Sequence, residues 1–338
     1  MELALYCPVY GFYEKESDTI GRKGHFFTSV STGRLFGELL AYQFASWIDF
    51  SRRHSPTLIE PTLIEGGAHD GRLALDILDG FRQRRPDLYQ HLNYSIVESS
   101  ARRRSWQQHS LACHASKVRW LDALPASTGN APAIIFSNEL LDAFPVHRLV
   151  WHSARKLWVE WGVTLTAGNF TWSPLPDISR EVRPLLPDIA PDVLPDGYVI
   201  EISPAALDWW SRASAALGRG FLVTFDYGFS AEDRFAPERT GGTLRAYRAH
   251  RVIADVLSDP GEQDLTAHVD FAAVQQAGEA AGLRTIEWTH QGRFLSRIAA
   301  AAIVDGVQWD SARIRQLNSL THPEHLGATF KVLVQSRP

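Results

Sequence analysis

Cysteine is almost missing from this sequence: Cys7 and Cys113 are the only two in 338 residues. Two thiols build neither a disulfide framework nor a Cys-based zinc site, so no metal is assigned, and a reducing compartment is the default. The resulting expectation is a cytoplasmic protein. Long apolar runs are missing too, since none reaches the ~18 residues of a membrane span. The opening residues, Met1 to Tyr6, carry no basic segment and no long apolar segment, and do not read as a secretory signal. There is no surplus of positive charge. The formal net charge is −4, and the short run Arg102-Arg103-Arg104 reads as a solvated helix face, so no nucleic-acid partner is expected. Internal repeats and low-complexity blocks are absent. So are a G-x-x-x-x-G-K-[ST] loop and a complete G-x-G-x-x-G, which argues against a P-loop and weakens a nicotinamide reading.

What is present is an ordinary globular composition, 45% hydrophobic and 21% charged, with strands alternating with helices. Leu35, Leu39, Tyr42 and Ala45 recur at helical spacing. Thr62–Glu65 is a short strand, Gly66 to Gly71 a glycine turn, and Leu73, Ile77, Leu78 and Phe81 mark a helix ending at Pro86. Further strands are expected at Tyr94–Glu98, Val118–Leu121 and Ala133–Ser137, with a helix at Ala101–Leu111. This order predicts an α/β, doubly wound parallel sheet. Val146–Trp172 partly alternates and reads as antiparallel strands around Gly168-Asn169. The proline-rich Pro174–Pro195 reads as an inserted loop or short helices. The core is expected to resume with Tyr198–Ile202, a helix from Pro204, and the strand Gly220–Tyr227. Arg245–Arg251 reads as a polar loop. Helices at 271–281, 293–304 and 311–320 and strands at 283–288 and 329–335 complete the prediction. In domain terms, residues 1–57 cover the ligand site, 58–150 form the first half of the core and 151–197 are inserted. Residues 198–338 supply the remainder of the core with accessory substrate-side helices.

Four features carry chemistry. In Glu65-Gly66-Gly67-Ala68-His69-Asp70-Gly71, glycine allows the backbone to approach a ligand, and the helix behind offers free N–H groups. A tight turn with no ligand explains it as well. Glu98 ends the next strand, where a carboxylate can accept from both hydroxyls of a ribose; a solvated strand-end acid is the alternative. Asp122, after the third strand, is placed for an adenine amino group, or is a turn residue. Asn138-Glu139-Leu140-Leu141-Asp142 emerges from the buried strand at the carboxyl edge, where open α/β sheets bind ligands. Helix capping would account for Asn138 and Asp142, and less well for Glu139. Acids at successive strand ends without a phosphate loop suit an adenosyl ligand lacking phosphates, and S-adenosylmethionine is that ligand.

These residues resemble the MidA-like S-adenosylmethionine-dependent methyltransferases, which include the mitochondrial complex I assembly arginine methyltransferases. The likeness runs nearly end to end. It covers Tyr10-Gly11-Phe12-Tyr13, Gly24-His25-Phe26-Phe27-Thr28-Ser29, Leu35-Phe36-Gly37-Glu38, the glycine turn and Val97-Glu98. It continues in Asn138-Glu139, Asp142-Ala143, Glu201-Ile202-Ser203-Pro204, Asp226-Tyr227-Gly228, Gly242 to Tyr247 and Asp264 to Phe271. The resemblance implies a class I methyltransferase fold with added helical and antiparallel β segments. It further implies S-adenosylmethionine as cofactor and methylation of an arginine on a partner protein, a respiratory-complex subunit in the mitochondrial member. Cofactor positions on this basis are Gly67, His69 and Gly71 of the glycine turn, Glu98 and Asn138, with Thr28 and Ser29 at the pocket mouth; Asp122 joins them only from its place after the third strand. Glu139 is the expected catalytic residue, orienting the guanidinium and helping remove its proton, with Asp142 second and Asp226 and His268 as further candidates. Three departures stand out. His69 takes the place of a family glycine, Ala68 that of a frequent proline, and Val30-Ser31 that of Pro-Glu. They keep open a degenerate binding or assembly module. A nicotinamide oxidoreductase is the remaining alternative. The oligomeric state is left open, a homodimer among the options.

Overall fold

The structure is a computed structural model and describes residues 1–15, 28–53, 60–188, 194–249 and 251–338. The motif residues Gly24 to Phe27 lie outside the described residues. The chain divides into two compact units, each assembled from separated stretches: 1–26, 141–209 and 228–274 in one, and 27–140, 210–227 and 275–338 in the other.

In chain order the strands are β1 (Thr62–Gly66), β2 (Asn93–Val97), β3 (Val118–Leu121), β4 (Ala133–Asn138), β5 (His147–His152), β6 (Leu157–Thr166), β7 (Asn169–Pro174), β8 (Val199–Ile202), β9 (Gly220–Phe229), β10 (Arg245–Arg248), β11 (Arg251–Ile253), β12 (Asp264–Thr266), β13 (Val269–Asp270), β14 (Arg284–His290) and β15 (Phe330–Arg337). The helices are α1 (Glu2–Tyr6), α2 (Leu35–Arg53), α3 (Arg72–Arg84), α4 (Pro86–His91), α5 (Ala101–Ser110), α6 (Pro204–Ala216), α7 (Phe271–Ala280), α8 (Gln291–Val304) and α9 (Ser311–Thr321).

The unit containing residues 27–140 holds the main sheet, in the order β14-β15-β9-β4-β1-β2-β3. β3, β2, β1, β4 and β9 run parallel, and β15 and β14 complete the edge antiparallel. The apolar run of β4 has the reason expected of it: Ile134, Ile135 and Phe136 are buried, as a strand covered on both faces requires. Phe136 packs between Phe44 and Tyr94, with ring centroids 5.1 and 6.3 Å away. Two glycines let α2 and α3 pack closely. A Cβ on Gly37 would stand 2.5 Å from Asp76 Cβ, and one on Gly80 2.8 Å from Ala41 Cβ. This is the α/β parallel sheet that the sequence order predicts, with antiparallel segments added as the resemblance implies.

The other unit contains a sheet ordered β7-β6-β5-β8 and one ordered β11-β10-β12. One face of the first sheet covers a cluster of Leu149, Trp151, Trp158, Val182, Leu194 and Tyr198. Two expectations change here. Tyr198–Ile202 does not resume the parallel core; β8 pairs antiparallel with β5. A short apolar strand reads the same in either sheet, and only long-range pairing distinguishes them. Arg245–Arg251 is not a loop but the antiparallel pair β10 and β11. The alternation is too short to read, because Ala246 is buried and Arg245 exposed, but Arg248, on the face of Ala246, is exposed again.

Candidate cofactor and active site

Four parallel strands end in register. Gly66 lies opposite Ser137 of β4 and Val97 of β2, and Val97 lies opposite Leu121 of β3. The residues that follow, Gly67, Asn138, Glu98 and Asp122, therefore form one row along the carboxyl edge of the sheet. On the far side of β4 the row continues, because Asn138 pairs with Phe225 and Glu139 N donates to Phe225 O at 2.9 Å. Loops leaving this edge are free of the ladder and can turn toward a ligand.

The glycine turn is built from left-handed backbone. Gly67 has φ 74° and Gly71 φ 81°, and a Cβ on Gly67 would press to 2.9 Å from Leu140 Cδ1. His69 adopts φ 45° although it has a side chain, a strained choice that the surroundings must hold. They do so through its carbonyl, which accepts from Gln107 Nε2 at 3.0 Å. Its Nε2 is buried with no hydrogen-bond partner. The N-terminus of α3, expected to be open to an anion, is partly used by the chain itself: Arg72 N donates to Asp70 Oδ1 at 3.0 Å. Burial opposes ionisation of Asp70, but His69 and Arg72 outweigh it and hold its pKa below the usual range.

Glu98 is half-buried, with Oε1 accepting from Ser100 N at 2.9 Å and Oε2 from Gln107 Nε2 at 3.3 Å. Gln107 is fully buried and also accepts from Trp120 Nε1 at 2.8 Å. One amide thus fixes both the turn and the acid, a link outside the residues assigned from sequence. Its only sequence signal is a polar residue on the inward face of α5. Glu65 was likewise unassigned. It is 2% exposed, accepts from Tyr94 Oη at 2.7 Å, and burial raises its pKa to about 7 against the lowering effect of that bond.

At the end of β4, Asn138 Nδ2 donates to Glu139 Oε1 at 2.9 Å, while Asn138 Oδ1 is buried with no hydrogen-bond partner. Glu139 has φ 51°. Asp226 serves the scaffold, since its carboxylate accepts from Leu140 N at 3.2 Å and Tyr227 N at 2.9 Å, tying the loop after β4 to β9. Asp122 is 89% exposed and pairs with Arg104 Nη2 at 2.5 Å. Thr28 is buried and exchanges hydrogen bonds with Ser31, and Ser29 Oγ donates to Gln291 Oε1 at 2.9 Å. In the other unit, Asp142 is buried in a short turn whose carbonyl accepts from Ala267 N at 2.9 Å, and His268 N donates to Thr243 Oγ1 at 3.1 Å.

The orphaned Asn138 Oδ1 and His69 Nε2 are an acceptor-type atom and a ring nitrogen aimed at no protein group. A buried polar atom without a partner is costly, and a polar ligand at this edge relieves that cost. The profile of a family described as S-adenosyl-L-methionine-dependent methyltransferases matches residues 39–289. The chain belongs to that family.

This methyltransferase uses S-adenosylmethionine as cofactor. It is 27% identical to the mitochondrial protein arginine methyltransferase NDUFAF7 homolog of Drosophila melanogaster, over 98% of this chain and 79% of that protein. It is 27% identical to mitochondrial protein arginine methyltransferase NDUFAF7 of Mus musculus, over 98% and 78%. A crystal structure from Burkholderia thailandensis, of a likely methyl transferase bound to S-adenosyl-homocysteine, superposes with a TM-score of 0.85 at 30% identity, covering 99% of this chain and 86% of that one. The cytoplasmic expectation does not stand, because these curated relatives are mitochondrial proteins. Scarce cysteine marks a reducing compartment and does not by itself choose the cytosol. Among the described residues, no helix is long and apolar enough to cross a membrane.

Proposed function

We propose that this methyltransferase modifies an arginine side chain of a partner protein, with Glu139 as the catalytic carboxylate. The observation that carries the proposal is the row at the carboxyl edge, with Asn138 Oδ1 and His69 Nε2 left unsatisfied beside the left-handed Glu139. The names of the relatives supply the arginine, and the resemblance makes a respiratory-complex subunit the first acceptor to try.

S-adenosylmethionine supplies a methyl carbon on a sulfonium, open to in-line attack. The residues hold and orient. Glu98, positioned by Ser100 N and Gln107, takes the ribose hydroxyls. Asn138 and the backbone from Gly67 to Gly71 hold the amino-acid end, with His69 Nε2 offered to it. Asp122 is assigned the adenine amino group once released from Arg104, and Thr28 the outer wall. A guanidinium is a poor nucleophile while its charge is delocalised. Glu139 would pair with it, draw positive charge away from the attacking nitrogen and accept the proton lost on methylation. Asp142 is the second carboxylate assigned to the acceptor.

The test is transfer to a protein acceptor, read by mass spectrometry, beside calorimetry with S-adenosylhomocysteine. Glu139→Gln should lower transfer at least about 100-fold, the scale of general acid–base effects, with cofactor affinity within about threefold. Full turnover by that variant sinks the assignment. A second reading has one observation in its favour: His69 places an imidazole in a turn otherwise built by glycine. If the cofactor binds and no arginine of any partner is methylated, the fold serves here as a binding module.

A further inference from the structure

Strain singles out one residue of the glycine turn. Among the described residues, six that carry a Cβ adopt positive φ. Lys156, Ala167, Ala249 and Asp259 are exposed, where a loop turns in water. His69 and Glu139 are the two that are not, and both stand at the carboxyl edge of the parallel sheet. Glu139 is assigned to the acceptor. His69 needs a reason of its own, because glycine would form the turn without strain.

The imidazole carries a second cost. Its Nε2 is buried with no hydrogen-bond partner, and a stranded buried polar atom is unfavourable. Both costs fall on one side chain. Strained residues of this kind cluster where a ligand is clamped. The ring is also well fixed. The His69 carbonyl is held by Gln107 Nε2 at 3.0 Å, and the ring meets Trp106 of α5 edge to face, with centroids 6.3 Å apart.

The other ring nitrogen sets the charge. Nδ1 stands 3.8 Å from Asp70 Oδ1, too far for a hydrogen bond and near enough for an ion pair. Asp70 is ionised: burial opposes this, but His69 and Arg72 prevail and keep its pKa below the usual range. The groups around the ring are Asp70 and Arg72 on its own segment and the uncharged Trp106 and Gln107 on α5. α5 adds Arg102, Arg103 and His109 a turn from Trp106. Two acids come from the adjoining strands: Glu98, bound by Gln107, and Glu65, which burial keeps protonated up to about pH 7. Histidine is the side chain whose charge ordinarily changes between pH 5 and 8. With its proton, Nε2 is a donor on a cation, the partner that a carboxylate takes best. The amino-acid end of the cofactor carries a carboxylate.

We propose that His69, in its protonated form, binds the carboxylate of the cofactor, so that S-adenosylmethionine and S-adenosylhomocysteine are held more tightly at lower pH. This rests on the placement of the amino-acid end over the glycine turn. No covalent bond changes. Nε2–H donates to a carboxylate oxygen, the strained turn gains a partner, and binding near neutral pH draws a proton from solvent.

Calorimetry with S-adenosylhomocysteine reads binding and not transfer. The affinity ratio of wild type to His69→Gln should fall about tenfold between pH 6 and pH 8.5, the scale of a hydrogen bond to a charged group. The ratio to His69→Gly, which removes the strain as well, should fall equally. Taking ratios cancels the titrations that all three chains share, those of Glu65 and His109 included. At pH 7.5, in two buffers of unlike ionisation heat, the wild type should take up protons on binding and both variants should not. 5′-Methylthioadenosine keeps the nucleoside and lacks the amino-acid end, and its affinity ratios should not change with pH. Ratios constant from pH 6 to pH 8.5 overturn the proposal, as do ratios that grow with pH or an equal response to 5′-methylthioadenosine. Glu98→Gln tells the two failures apart. If it weakens binding while His69 is silent at every pH, the cofactor site stands and this inference alone falls; if neither substitution matters, both fall.

Discussion

The parallel sheet and the β7-β6-β5-β8 sheet treat their surfaces in opposite ways. The parallel sheet buries the side chains of β4 and presents its polar chemistry at one edge, in the loops beyond β1, β2 and β4. The antiparallel sheet buries one face and leaves Val163, Leu165 and Phe170 exposed on the other. In the first, function sits where the ladder stops. In the second, whatever binds must lie flat across the strands. The two surfaces should therefore fail differently under mutation.

The largest contrast is in the core. Phe136→Ala, in a side chain with no exposure, should lose about 3–5 kcal/mol of stability in chemical denaturation. Phe170→Ala, 46% exposed, should change the stability of the isolated chain by under about 0.5 kcal/mol. A large loss at Phe170 that grows with protein concentration would move it from surface to interface; a small loss at Phe136 would break the contrast.

The next effect is titration. Burial raises the Glu65 pKa to about 7 from 4.5, opposed by the Tyr94 hydrogen bond. The folded chain thus holds this proton more tightly than the unfolded chain. The associated stability is present in full below about pH 4.5 and is lost as pH climbs to about 7, on the order of 3 kcal/mol in all. Glu65→Gln keeps an acceptor for Tyr94 and removes the titration, so its stability relative to wild type should rise between pH 5 and 8. A parallel pair of curves would mean that Glu65 titrates normally.

Smaller again is Gln107→Leu, which frees the His69 carbonyl and Glu98 together. It should weaken S-adenosylhomocysteine binding about tenfold, roughly 1.4 kcal/mol, by calorimetry. Unchanged affinity would show that the turn holds itself. The smallest effect belongs to Asp122→Ala. Its bond to Arg104 is a surface ion pair, and such pairs contribute about 0–1 kcal/mol, so its melting temperature should barely move. A cofactor affinity loss as large as that of Glu98→Gln would support its adenine role.

The parallel core was legible because period and burial agree: helical spacing from Leu35 and Leu73, and an unbroken apolar run at 134–136. The edge row was legible because β1 ends in a glycine turn and β2, β3 and β4 run into polar residues, and the register of Gly66 with Ser137 and Val97 brings those ends together. Gln107 escaped, since a buried amide on a helix looks like any surface glutamine until its three partners are known. The hydrogen bonds exchanged by Thr28 and Ser31 escaped as well, since no spacing rule reveals them. β8 was assigned to the wrong sheet because strand partners are a long-range property, and β10 was hidden because exposed arginines stand on both of its faces, Arg245 on one and Arg248 on the other.

The place of β15 has a consequence for biosynthesis. It lies between β9 and β14, yet about a hundred residues separate the end of β9 from its start. At ~5–20 residues per second, the outer rim of β9 waits about 5 to 20 seconds for its neighbour. Throughout that interval the nascent polypeptide displays an unsatisfied backbone rim beside nonpolar side chains, the form most prone to clumping and most in need of a chaperone.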